Sequence, residues 1–304
     1  MGPENCCNLE RVEYFPLEEY ISRIKLNSNL LYHLEETSKD FDKYIKLLSS
    51  YDPDIVASFL INSFEKEIVD SNLIENHTSN YSKINENKIF YYTLNINHQR
   101  IKNLHKFALE KETIDDYRKD EAWVGYVKDN EKHIYWYGAE PEDIKNFMDD
   151  YIKEYKANSL SLLNSNPFLK SALITLLFIR IHPFGDGNGR TARLLYDMKF
   201  TELINKIYKT NLKISPLHIS NSILLNQPSY VHALDSIYFD VKHDCNDEIN
   251  KWFDFCLNMT DEQLFYLSNE LKNKNRYLFN IENPSLKNES INQKIKSMKI
   301  QKLH

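Results

Sequence analysis

Glycine is scarce in this chain: there are six among 304 residues, where the usual share of about 7% would give roughly 21. With only nine prolines beside them, 3.6-residue periodicity runs on over long stretches, which argues for a mostly helical protein with strands a minor component. Cysteine is equally sparse. Cys6, Cys7, Cys245 and Cys256 form neither a CxxC pair nor a regular framework, which fits reduced thiols better than disulfide staples or zinc ligands. Positive charge is also wanting: a net charge of −6 and a pI near 6.0 lack the basic excess of a dedicated nucleic-acid binder and leave room only for a local basic patch. The longest apolar stretch, Ala172 to Ile179, stops at Arg180, far short of the roughly 20 residues that cross a bilayer. Glu4 stands where a secretory signal needs positive charge, so the expected location is the cytoplasm. What is present is ample packing material. Hydrophobic residues make up 42% of the chain, with 20 Tyr and 16 Phe, which excludes both a mini-protein and a disordered chain.

Helical patterns are predicted around Leu17–Ile24 and Leu30–Tyr51, with a long helix from about 54 to 76 in which Ile55, Phe59, Phe64, Ile68 and Ile74 recur. It ends at Asn76, which tolerates the left-handed conformation after a helix. A polar loop over 77–86 and a helix through Leu94–Lys111 follow. Ala122–Val127 and His133–Tyr137 are rich in Trp, Tyr, Val and Ile and flank Asp129 and Asn130, the pattern of a β-hairpin. Further helices are predicted over Pro141–Lys156, Phe168–Ile181, Gly189–Tyr208, Ser220–Tyr238 and Asp247–Lys272. Phe168–Ile181 is apolar on nearly every face, as a buried central helix must be. The expected organisation is an N-terminal helical region (1–53), a core (54–272) and a polar tail or accessory helix (273–304).

Three of the six glycines fall within five residues, in His182-Pro-Phe-Gly-Asp-Gly-Asn-Gly-Arg-Thr-Ala-Arg193. Alternating glycines let successive N–H groups turn inward as an anion nest, and the helix that follows adds the positive end of its dipole. Arg190 and Arg193, three apart on its first turn, can fork onto further phosphates. Asp186 supplies a carboxylate for Mg²⁺, and His182 can take a proton near neutral pH. Other loop chemistries fail on spacing. GxxxxGK(S/T) is absent, GxGxxG would need glycine at Arg190, and an EF-hand would need glycine at Thr191.

HPFGDGNGRTAR matches in full the HPFx(D/E)GNGRxxR signature of the Fic family, and the resemblance extends over roughly Asp54 to Leu267. It implies a mainly α, Fic-type helical fold with a small β-hairpin flap, and transfer of AMP from Mg·ATP to a Ser, Thr or Tyr hydroxyl of a protein, the chain itself included. His182 resembles the base, Asp186 the Mg²⁺ ligand, and Gly187, Asn188 and Gly189 the anion hole for the α- and β-phosphates. Arg190 would hold the β-phosphate and Arg193 the γ-phosphate. The flap, His133, Ile134, Tyr135, Trp136 and Tyr137, would clamp a target segment by strand addition. Asn226 to Leu234 resembles the border of the adenine pocket, with Tyr230 a candidate stacking residue.

Ser71-Asn-Leu-Ile-Glu75-Asn76 matches the Ser/Thr-x-x-x-Glu-Gly/Asn motif of Fic proteins with their own N-terminal inhibition helix, the class II kind. Ser71 and Glu75 share a helix face. The resemblance implies that Glu75 pairs with Arg193 and occupies the γ-phosphate site. Expected partners are ATP and a protein with a hydroxyl side chain, with self-association as a further way to tune the helix; neither nucleic acid nor membrane is expected. Alternatives are AMP removal, with Glu75 positioning a water, a different nucleotide or phosphodiester donor, and an idle Fic-fold binding or antitoxin module.

Overall fold

Short polar side chains start four of the helices. Asn27 accepts from the Leu30 N–H, Asp52 from Asp54, Asn97 from Arg100, and Asn166 from both Phe168 and Leu169, which satisfies N–H groups that a helix cannot pair internally. A computed structural model describes residues 12–77, 95–157 and 161–282, with side chains to residue 273. In chain order the elements are α1 (Leu17–Ser22), α2 (Ser28–Ser49), α3 (Pro53–Ile74), α4 (His98–Ala108), β1 (Trp123–Lys128), β2 (Glu131–Tyr137), α5 (Ile144–Lys156), α6 (Leu162–Ser165), α7 (Pro167–Ile181), α8 (Asn188–Tyr208), α9 (Ser220–Leu225), α10 (Gln227–Asp235) and α11 (Asn246–Glu282). The fold is mainly α with one small antiparallel hairpin. Residues through Leu264 form one compact unit, and those from Phe265 onward a second.

All residues of α7 are buried, as its all-round apolar surface requires. Phe41 of α2, Phe168 of α7 and Phe200 of α8 meet at 5.3–5.5 Å between ring centroids. The Trp252 indole of α11 donates to the Ala172 carbonyl at 3.0 Å. The loop 182–187 joins α7 to α8, so two largely buried helices hold the predicted chemistry. No helix among the described residues is long and apolar enough to cross a membrane.

The hairpin turn Asp129–Asn130 has φ of 52° and 65°, the double positive φ of a two-residue turn whose twist matches the strands. Val124 pairs with Trp136 and Gly125 with Ile134, so Tyr135 bulges out of register. Four elements differ from the sequence expectation. The helix predicted over Ser220–Tyr238 is two, α9 and α10, broken at Asn226 because Pro228 in the first turn of α10 cannot continue a helix from before it. The helix predicted over Leu94–Lys111 is confined to His98–Ala108 by its Asn97 cap. Pro141 to Asp143 form a turn ahead of α5, and α11 runs ten residues past Lys272. Most of the predicted 77–86 loop and the tail beyond 282 lie outside the described residues.

His33 of α2 sits between two carboxylates of α11, 2.6 Å from Asp254 and 2.9 Å from Asp261. Burial opposes its charge, but the hydrogen bonds to both aspartates outweigh it and raise the imidazole above its ordinary value. A raised folded value means that the clamp stabilises the fold fully below the unfolded value of about 6.5 and is lost as pH climbs through the folded one. The gap in melting temperature between the protein and His33→Gln should therefore shrink from about pH 5 to about pH 9; a pH-independent gap would mean that the ring merely packs.

Candidate active site

His182 closes α7 in the left-handed conformation, φ 54° and ψ 58°. Its Nδ1–H donates to the Ile179 carbonyl at 3.2 Å. A carbonyl can only accept, so this bond places the proton on Nδ1 and leaves Nε2 with a free lone pair. Burial holds the imidazole down at about 4, with Arg118 and Arg180 pushing the same way and the Ile179 bond and Glu75 pushing back. The side chain is thus a neutral base across the physiological range.

The loop after it is fixed from inside. Phe184 is fully buried, and the His105 ring of α4 stacks on it at 3.7 Å and 2° between planes. Asn188 accepts from the Phe184 N–H at 3.0 Å and donates back to its carbonyl at 2.8 Å. The Asn188 side chain is therefore a loop staple, and what it offers an anion is its backbone N–H. Gly187, at φ 74°, starts α8 in a conformation that side chains resist. The first intrahelical bond runs from Thr191 N to Gly187 O, so the N–H groups of Asn188, Gly189 and Arg190 point out of the helix with no carbonyl inside it to take them.

The two arginines of the motif reach back to α3. Arg193 is 1% exposed; its Nε donates to Ser71 Oγ at 2.8 Å, and its Nη2 to the Ser71 carbonyl at 2.8 Å and to Glu75 Oε1 at 3.1 Å. Gly189 makes that approach possible, because a Cβ there would fall 2.2 Å from Glu75 Oε1. Arg190 donates from Nη1 to Asn72 Oδ1 at 3.3 Å and from Nη2 to the Asp186 carboxylate at 3.1 Å. Ser71, Asn72 and Glu75 thus cover both guanidinium groups from one helix end.

That end is fully accounted for. Of the last four carbonyls of α3, Ser71 accepts from Arg193, Asn72 from His77 N, Leu73 from Asn76 N and Ile74 from Gln227 Nε2. Asn76 at φ 57° is the left-handed residue of a Schellman motif. Asn76→Val should cost about 1–2 kcal/mol in chemical denaturation because a β-branched residue resists that conformation; Asn76→Gly should be neutral. Equal losses would mean that the Asn side chain itself carries the effect.

Asp186 is 62% exposed and touches Arg190 and the Gly187 N–H. Among the described residues no three carboxylate, His or Cys groups cluster as a metal cage. One open carboxylate beside an anion nest is the donor set that suits Mg²⁺ arriving with phosphates and water. Arg190 Nε, though buried, has no hydrogen-bond partner among the described residues, a donor left for an anion.

Tyr230 is 6% exposed, tilted against Trp252 and Phe255 at 6.1 and 6.0 Å. Burial raises its phenol to about 12 while neighbouring Arg193 lowers it, so it presents its hydroxyl to Arg193 and its ring to the core. In the hairpin, His133 is exposed, Ile134, Tyr135 and Tyr137 are half-buried, and Trp136 is 2% exposed beneath Arg180 at 5.0 Å. Trp136 anchors the flap from below. Among the described residues β2 pairs only with β1, which leaves the backbone of its outer edge for a further strand.

The sequence alone did not single out Asn72, His105 or Arg118. Ile101, Leu104, His105 and Ala108 recur at helical spacing, so the burial of His105 was readable but its partner was not. Arg118 donates from Nε to the His182 carbonyl at 2.7 Å, with no local pattern to announce it.

Residues 95–198 match the Fic/DOC family. A Fic family protein from Desulfovibrio desulfuricans G20 shares the fold with TM-score 0.57 and 15% identity, over 83% of this chain and 76% of that one. A Fic domain containing signaling protein from Bacteroides thetaiotaomicron VPI-5482 matches with TM-score 0.54 and 16% identity, over 79% of this chain and 97% of that one. Fic-1 from C. elegans matches with TM-score 0.54 and 14% identity, over 85% of this chain and 75% of that one. The 182–193 loop lies within the stretch that matches the Fic/DOC family, and the helical fold with its hairpin is the one shared with these Fic structures.

Proposed function

We infer that this protein transfers AMP from Mg·ATP to a hydroxyl of a protein and that α3 holds it off. The observation that carries the reading is the convergence on one loop of a neutral His182 with Nε2 free, an N-terminal nest, and two arginines occupied by Ser71, Asn72 and Glu75.

In the proposed step a Ser, Thr or Tyr oxygen attacks the α-phosphorus. The new O–P bond forms as the bond to the β-phosphate oxygen breaks, pyrophosphate leaves, and the hydroxyl proton passes to His182 Nε2. The Asn188, Gly189 and Arg190 N–H groups face the phosphates, with the helix dipole behind them. Arg190 and Arg193 hold the outer phosphates once free of α3. Asp186 would hold Mg²⁺, which neutralises phosphate charge. A target segment laid along the β2 edge brings its hydroxyl to this point. Glu75 stands where a γ-phosphate would meet Arg193, so nucleotide and inhibitory helix compete for one cation. The working core, 54–272, includes both helix and loop.

Transfer of label from α-³²P-ATP into protein, by the protein and by Glu75→Gly and His182→Ala variants in lysate, tests this. Label that appears with Glu75→Gly and vanishes when His182 is also changed supports it. Absence of label in every variant would rule out AMP as the group transferred and point to another donor.

A further inference from the structure

We propose that Arg118 is a positioning residue that ties both feet of the hairpin to the backbone of His182, and so sets the register between an incoming hydroxyl and the imidazole. The role rests on the transferase reading above.

Arg118 precedes the hairpin, yet its bonds go to three separated segments. Nη1 donates to the Asp120 carbonyl at 2.7 Å, just before β1, and Nη2 donates to the Ala139 carbonyl, just after β2. Nε donates to the His182 carbonyl at 2.7 Å, and the Arg118 N–H to the Pro183 carbonyl at 2.9 Å. All four acceptors are backbone carbonyls. One planar fork therefore joins the foot of each strand to the residue that carries the base. The packing is close: a Cβ on Gly138 would fall 2.8 Å from both Arg118 Nη2 and His182 Cβ.

The bond to His182 matters beyond fastening a loop. His182 is a non-glycine residue at φ 54° and ψ 58°, a region that persists only where its surroundings impose it. The direction of its carbonyl is set by ψ, so an Arg118 bond to that oxygen fixes the backbone from which the imidazole projects. The same guanidinium fixes the strands on which a target would lie. Without it, the hairpin keeps single links such as Gly138 N to Ala122 O and Ala139 N to Ile181 O, both near 3.0–3.1 Å, but the strand and the base lose their common reference. The nucleotide donors on α8 are not among the Arg118 contacts.

A water molecule has no register to keep, and that separates this role from a structural one. In the Glu75→Gly background, Arg118→Gln and Arg118→Lys are compared with their parent for three readouts: AMP transfer to protein, hydrolysis of ATP to AMP by water, and affinity for Mg·ATP. Transfer should fall by about 10²-fold in Arg118→Gln, as for a catalytic geometry displaced by about 1 Å, while hydrolysis and nucleotide affinity stay within about threefold. Arg118→Lys, with a point charge in place of the fork, should recover part of the transfer. A parallel loss of transfer and hydrolysis, or a loss of neither, overturns the assignment. A parent that transfers no AMP while binding Mg·ATP overturns the transferase reading, and this role with it.

Discussion

Replacing Glu75 with glycine should raise AMP transfer by about 30-fold at saturating Mg·ATP. Breaking a fully buried ion pair by removing one partner costs about 3–5 kcal/mol. Arg193 is 1% exposed, but the Glu75 side chain is 33% exposed, so about 2 kcal/mol is the fitting scale, and 1.4 kcal/mol is tenfold. The substitution should also destabilise the nucleotide-free protein, because the partners left to Arg193, the Ser71 hydroxyl and carbonyl and the Tyr230 hydroxyl, are neutral. Phosphate would then replace the missing carboxylate, so Mg·ATP should raise the melting temperature of Glu75→Gly more than that of the parent. Activity and nucleotide-induced stabilisation both equal to the parent's would show that the Glu75–Arg193 pair is a structural salt bridge with no inhibitory part.

Changing His182 to alanine in that released background should lower transfer by about 10²–10⁴-fold, the usual contribution of a positioned base. The pH dependence gives a sharper test. A base must be neutral to accept a proton, and burial holds His182 near 4. The acid limb of kcat should therefore lie near pH 4 rather than at the ordinary imidazole value of about 6.5, with a flat rate above it. The charge of Glu75 raises the His182 value, so the Glu75→Gly limb should move lower still. An alanine variant that retains its rate would remove His182 from the reaction; a half-maximal rate near pH 6.5 would instead mean that the ring is solvated when it works.

The parts of this fold that were legible in the sequence depend on neighbours in the chain. The hairpin turn followed from Asp129 and Asn130, which accept positive φ; the buried helix α7 from apolar residues on every face; and the end of α3 from Asn76. The 182–193 loop was legible because glycine is rare everywhere else. What escaped depends on contacts between distant segments. Arg118 lies 64 residues from His182, and His105 is 86 from Thr191, whose hydroxyl it meets at 3.2 Å. Neither partnership leaves a periodic trace. Asn72 is silent in the sequence for a subtler reason. It lies between Ser71 and Glu75, and a pattern that names only positions i and i+4 is silent about the residue that reaches Arg190. The sequence shows Tyr230 as an aromatic in the 226–234 stretch, and its packing against Trp252 and Phe255 is a contact between distant segments.

One consequence follows from the carbonyl that Arg193 takes on Ser71. The motif arginine is a C-terminal cap of α3 as well as its charge partner, so any phosphate that captures Arg193 withdraws a cap and loosens the last turn in the same event. The amides of Glu75, Asn76 and His77 bond to the Asn72 and Leu73 carbonyls of that turn. Their hydrogen-exchange rates therefore report how often the arginine is released, in the absence of any turnover. An effector would not need to pull α3 away from the core: unwinding a single turn, at the scale of helix fraying, would be enough to hand the arginine over.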